Sequence, residues 1–146
     1  MRDINLIIIH CSGTRDGREL TPDALEADHR RRGFITTGYH YYIRRDGTVV
    51  CTRPVEQVGA HCRGHNAHSI GICYEGGLDA EGRPADTRTE KQRRELRRLV
   101  CRLLRKYPDC LVRGHRDMSP DVDGDGVVEP EEWTKVCPSF DVLTEF

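Results

Sequence analysis

No apolar run in the sequence approaches the roughly 18 residues that a membrane span requires, and the mean hydropathy is -0.66; a transmembrane chain is excluded. Neither charge is in excess. The 23 Lys+Arg stand against 24 Asp+Glu, a net charge of -1, so no basic surplus draws the molecule onto phosphate backbones and nucleic acid is not an expected partner. The opening stretch MRDINLIIIHCSG lacks the longer apolar core and small-residue cleavage site of a signal peptide, so the expectation is synthesis in the cytoplasm. No cysteine framework stands out either: the seven cysteines (Cys11, Cys51, Cys62, Cys73, Cys101, Cys110, Cys137) are an odd number, scattered singly with no CxxC, which argues against a disulfide scaffold. Five or six of them read as small buried hydrophobes. Cys137, in KVCPSF, lies outside any periodic element and asks for a chemical role. With 146 residues and no repeat, low-complexity tract or linker, the chain reads as one domain over residues 1–146, able to bury its own core as a monomer.

What is present alternates between strand and helix patterns. Residues 5–9 carry a branched-aliphatic run, Leu6 to Ile9, typical of a strand buried on both faces, ended by His10. Thr21-Pro22-Asp23 opens a helix that Gly33 closes. Residues 39–44 and 48–51 flank Asp46-Gly47, a strong hairpin signal. Residues 69–74 predict another strand, and residues 82–87 a polar loop. Thr89 and Gln92 have the form of a capping box, after which Leu96, Leu99, Val100, Leu103 and Leu104 recur at helical spacing. The opposite face of that helix carries Arg93, Arg94, Arg97, Arg98, Arg102 and Arg105, the pattern of a solvated face, with a dock for an acidic partner as the competing reading. Leu111 and Val112 begin a short strand that delivers His115. Strands interleaved with two long helices predict an α/β fold, a central mixed β-sheet flanked by helices.

His10 and His115 each fall just after a predicted strand, where a sheet rim holds a side chain rigidly. With Cys137 they make two imidazoles and a thiolate, a borderline-soft set that matches zinc and leaves a fourth position for water. The blocks IIIHCS, GYHYYIRRDGTV, VGAH, HNAHSIGICYEGG, GHRDMSP and KVCPSF occur in the order seen in zinc-dependent N-acetylmuramoyl-L-alanine amidases of the amidase-2 type, whose fold peptidoglycan recognition proteins share. The chain resembles that family over residues 4–140. The resemblance implies hydrolysis of the bond between N-acetylmuramic acid and the L-alanine of the stem peptide, with peptidoglycan or muropeptide as substrate. It implies action on the wall after lysis or dedicated export. His10, His115 and Cys137 are then the zinc ligands, and Tyr39 and Lys135 look like the catalytic pair of the phage-lysozyme branch. His61, in VGAH, resembles a position lining the substrate groove, whereas His40 reads as structural. A noncatalytic wall-binding module is the alternative, disfavoured because Cys137, Tyr39 and Lys135 are all present.

Two departures stand out. Other members of the family carry a glutamate base where this chain has Cys73; Glu75 lies close by but nearer the strand end. The second departure is an insertion at residues 121–132, DVDGDGVVEPEE, which fits the EF-hand-like calcium loop at every specified position. Asp121, Asp123, Asp125 and Glu132 would supply carboxylates and Val127 a carbonyl to one calcium ion. The helix that normally enters such a loop is absent from the pattern.

Overall fold

The structure, a computed structural model, describes residues 2–146. The aliphatic run becomes β1 (Leu6–Cys11), followed by β2 (Thr14–Arg15), α1 (Pro22–Arg31), β3 (Tyr41–Ile43), β4 (Val49–Cys51), β5 (Ser69–Tyr74), β6 (Gly77–Leu78), α2 (Glu90–Lys106), β7 (Leu111–Gly114) and α3 (Val142–Glu145). Five strands form one sheet in the order β4-β3-β5-β1-β7. Pairing is parallel except for β4, which returns antiparallel to β3 through the Asp46-Gly47 turn. Gly47 there has φ of 88°, a left-handed conformation that glycine adopts without cost. The mixed sheet flanked by helices is the predicted fold class.

Because successive side chains of a strand point to opposite faces, β1 divides its residues between two layers. Ile7 and Ile9 enter the main core with Ile43, Ile70, Ile72, Tyr74 and Val112, closed by Leu96, Leu99, Val100 and Leu103 of α2. Leu6 and Ile8 face the other way, toward Cys62 and Met118. On that second face α1 contributes Leu25, which packs with Tyr42 and Cys73. His10 shares the parity of Leu6 and Ile8, so the second face is where the chemistry lies.

Both long helices start where their caps predict. The Thr21 side chain accepts from Ala24 N, and Thr89 and Gln92 form the reciprocal capping box of α2. Gln92 does more than cap: its amide also donates to the carbonyls of Ile43 and Glu75, tying α2 to the sheet. Several boundaries differ from the sequence reading. β1 runs through His10 to Cys11, and Tyr39 precedes β3 instead of lying within it. Gly77 joins Leu78 in a two-residue strand paired with β2. Cys51 and Cys101 are exposed, a correction to the expectation of five or six buried cysteines: one lies on the edge strand β4, the other on the arginine face of α2. That arginine face is exposed throughout, as a solvated face should be.

Candidate metal centre

His10, near the C-terminal end of β1, which lies between β5 and β7, aims its Nδ1 at Nδ1 of His115, 3.1 Å away. His115 opens the single turn His115–Met118 immediately after β7, the neighbour of β1, so two adjacent parallel strands deliver both imidazoles to one rim. Cys137 arrives from a loop 126 residues beyond Cys11, whose backbone N–H donates to its Sγ at 3.1 Å. The ligand atoms of His10, His115 and Cys137 all lie within 4.8 Å of one another. That loop is pinned at the thiol and at the two residues after it. Arg116 N donates to the Cys137 carbonyl, and the buried Tyr74 hydroxyl donates to the Pro138 carbonyl at 2.6 Å. The Ser139 hydroxyl donates to the Gly77 carbonyl at 3.1 Å, and this contact gives the short β6 strand a function.

The electrostatics keep the imidazoles uncharged. Burial, reinforced by His61 and His115, holds His10 well below the usual histidine range. Burial and the nearby Lys135 cation bring His115 down to about 4. Two neutral imidazoles whose nitrogens face each other at hydrogen-bond distance offer lone pairs to a shared cation, and a thiol completes a donor set with the softness zinc prefers. The Cys137 thiol is pushed up by its hydrogen bond with Cys11 and by burial, so a metal must displace its proton. Three protein donors also leave a coordination position open, the arrangement of a hydrolytic site.

Around this centre the sequence-predicted residues separate into groups. The Tyr39 ring lies 5.0 Å from that of His10 and 5.3 Å from that of His29, and His29 in turn accepts from Gly38 N at 2.8 Å, which fixes the bend carrying Tyr39. Burial, with the Cys73, Cys137 and Cys11 thiols nearby, pushes the Tyr39 phenol well above its usual range. Lys135 is exposed and close enough to His115 to bear on its charge. His61, expected at a groove wall, is buried behind His10: its Nδ1 meets His10 Nε2 at 2.8 Å and its Nε2 meets Ser69 Oγ at 3.2 Å. His40 is fully buried, accepting from Gly71 N and donating to the Gln57 carbonyl. Cys73 pairs in register with His10 but its thiol is pushed far up by burial among Leu25, Tyr42, Leu20 and Tyr39. Glu75 turns away, its carboxylate accepting from Arg44, Leu20 N and Arg45 N. Burial pushes its pKa up, but these bonds outweigh that and hold it below the usual value.

Residues 121–132 form an exposed loop that returns on the turn Pro130–Glu132. Its acids converge in two groups, Asp121 with Asp123 and Glu132, and Asp123 with Asp125 and Glu129, instead of one five-ligand ring. Asp121, Asp123, Asp125 and Glu132 all accept from the loop's own backbone amides, and Val127 N donates to Asp125. The side chain of Ser69, the bare Cα of Gly71 and the backbone N–H of Cys11 are the participants that sequence reasoning missed. None carries a signature of its own, because each acts through its position beside His10 or Cys137.

Residues 1–139 match the Amidase_2 family, N-acetylmuramoyl-L-alanine amidase. The endolysin of Klebsiella phage KP32 is 34% identical over 141 residues, covering 97% of this chain and 84% of that protein. The amidase LysC from Clostridium intestinale superposes with a TM-score of 0.75 at 28% identity, over 99% of this chain and 82% of that one. Drosophila PGRP-LB shares the fold alone, with a TM-score of 0.74 at 20% identity over 99% of this chain and 80% of that one. A family match over nearly the whole length, on a sheet that gathers His10, His115 and Cys137 at one rim, makes the chain a member of the N-acetylmuramoyl-L-alanine amidase family.

Proposed function

We propose that this protein is a zinc-dependent hydrolase that cleaves the amide bond between the lactyl group of N-acetylmuramic acid and the L-alanine of the peptidoglycan stem peptide, with residues 1–146 acting as a single catalytic domain. The convergence of the His10, His115 and Cys137 ligand atoms within 4.8 Å carries this reading. Those three residues hold the metal. When bound, zinc supplies Lewis acidity, polarising the scissile carbonyl and lowering the pKa of water toward about 7.

The rest of the chemistry falls to the chain's own side chains. Tyr39 keeps its phenol protonated, so it donates a hydrogen bond to an oxygen that gains negative charge as the carbonyl is attacked. Lys135, beside His115, brings a cation to the same charge. Neither neighbouring strand residue supplies a carboxylate base, since Cys73 is a neutral buried thiol and both Glu75 oxygens are engaged. With no carboxylate beside the centre, Tyr39 and Lys135 are the protonated groups placed to stabilise that charge and to give a proton to the leaving amine. The complete loop motif supports a second metal, calcium, which on binding would draw the two acidic groups together so that Asp121, Asp123, Asp125, Glu132 and the Val127 carbonyl hold it. The substrate is wall peptidoglycan or a muropeptide, met by a monomer after lysis or export. No helix among the described residues is long and apolar enough to cross a membrane.

The test is digestion of purified peptidoglycan followed by mass analysis of the released peptides, with and without a chelator. Free stem peptides beginning with L-alanine, lost on chelation and restored by zinc, are expected. Binding of peptidoglycan without peptide release would refute the catalytic reading.

A further inference from the structure

His61 is buried, carries no direct part in the proposed chemistry, and is held from more sides than packing alone requires. Its backbone N–H and that of Cys62 both donate to the Asn66 side-chain oxygen at 2.9 Å, which fixes the turn from which the ring projects. The ring lies over β5 at Gly71, where a Cβ would come within 2.6 Å of Cγ and 2.8 Å of Nδ1. Gly71 pairs in register with Ile8, two residues before His10. Along the same face, Ser69 meets the Nε2 edge of the ring at 3.2 Å and His10 meets the Nδ1 edge at 2.8 Å. A bare glycine between a serine and the residue paired with His10 is thus a seat shaped for one imidazole.

We infer that His61 is a positioning residue: bridging Ser69 and His10 Nε2, it fixes the ring plane and the tautomer of His10, so that Nδ1 is the nitrogen offered to the metal. The inference rests on the reading of His10 as a zinc ligand. With Nδ1 committed to a cation, the His10 proton resides on Nε2 and is donated to His61 Nδ1. The only proton left on the His61 ring is then on Nε2, donated to Ser69 Oγ. Such outer partners orient a ligating imidazole and raise its basicity, and their loss weakens metal binding by about 10- to 100-fold.

Competition titration against a chromophoric chelator measures zinc affinity directly, without turnover, while circular dichroism reports the fold. His61→Leu is expected to weaken zinc binding by about 10- to 100-fold. His61→Asn, whose amide oxygen stands near the former Nδ1, regains most of that loss, and Ser69→Ala weakens zinc by a smaller factor. Should His61→Leu not fold, the order wild type, His61→Asn, Ser69→Ala against zinc decides, together with long-range proton–nitrogen spectra of the zinc-loaded wild type. Those spectra are expected to place the His61 proton on Nε2. Equal zinc affinity in folded His61→Leu, or a His61 proton on Nδ1 in the loaded protein, overturns the inference while leaving the zinc site standing. A wild-type protein that binds no zinc at all removes the metal assignment and this inference together.

Discussion

Replacing Gly71 by alanine tests whether the His61 seat is as tight as its geometry indicates. The added methyl would lie 2.6 Å from His61 Cγ and 2.7 Å from Cδ2, against an ordinary carbon–carbon contact of about 3.5–4.0 Å. The ring must therefore retreat by roughly 1 Å, enough to break the 2.8 Å bond to His10. Its turn, clamped by Asn66, resists that movement. Overpacking of this kind costs about 1–3 kcal/mol, which for a chain of this size lowers Tm by about 3–10 °C. The assay is thermal unfolding of the metal-stripped protein for wild type, Gly71→Ala, His61→Ala and the double variant. Because the clash is with the imidazole itself, removing that ring should relieve most of the cost, leaving the pair strongly non-additive. Additive losses, with Gly71→Ala as harmful in the absence of the His61 ring as in its presence, would refute the argument.

Three further outcomes follow from the same geometry. Tyr39→Phe and Lys135→Ala should each lower turnover on peptidoglycan by roughly 100-fold or more while zinc content stays unchanged, as expected of groups acting on the transition state; near-wild-type turnover in either variant removes that residue from the mechanism. His40, brought down from 6.5 to about 4 by burial, takes up a proton more readily in the unfolded chain, so stability is full above pH 6.5 and is lost as pH falls toward 4. The loss is on the order of 3 kcal/mol for this residue, and urea unfolding of the stripped protein at pH 7, 5.5 and 4.5 should show it; a flat profile contradicts it. Calcium should bind residues 121–132 and tighten zinc, because Glu132 precedes Lys135 and Cys137 by three and five residues and ordering the loop lowers the entropy lost when Cys137 closes the zinc site. Calorimetry without a calcium signal, or zinc affinity equal with and without millimolar calcium in wild type and Asp123→Ala, counts against it.

Local signals made much of this legible in the sequence. A four-residue aliphatic run, Leu6 to Ile9, can only be satisfied between two packed layers, and it forms β1, an interior strand of the sheet. The capping box at Thr89 and Gln92 and the leucine spacing set α2 correctly, and the Asp46-Gly47 turn set the hairpin. Cys137 stood out because a thiol in a non-periodic loop has no packing explanation. What escaped was either too short or too distant to leave a pattern. β2 and β6 have two residues each, below any periodicity. Tyr39 lies just before β3 because the Gly38–His29 hydrogen bond holds a bend there. His61 and His10 are 51 residues apart, and nothing within VGAH says that its histidine faces another histidine instead of the groove. Gly71 looks like a weakness inside a strand until the ring that occupies its empty position is seen.

Zinc stoichiometry by elemental analysis of the purified protein, compared with Cys137→Ser and His115→Ala, reaches the central claim most directly. One zinc per chain in the wild type, sharply reduced in both variants while their folds persist, is the result expected of a centre built from His10, His115 and Cys137. Wild-type stoichiometry retained in either variant would contradict it.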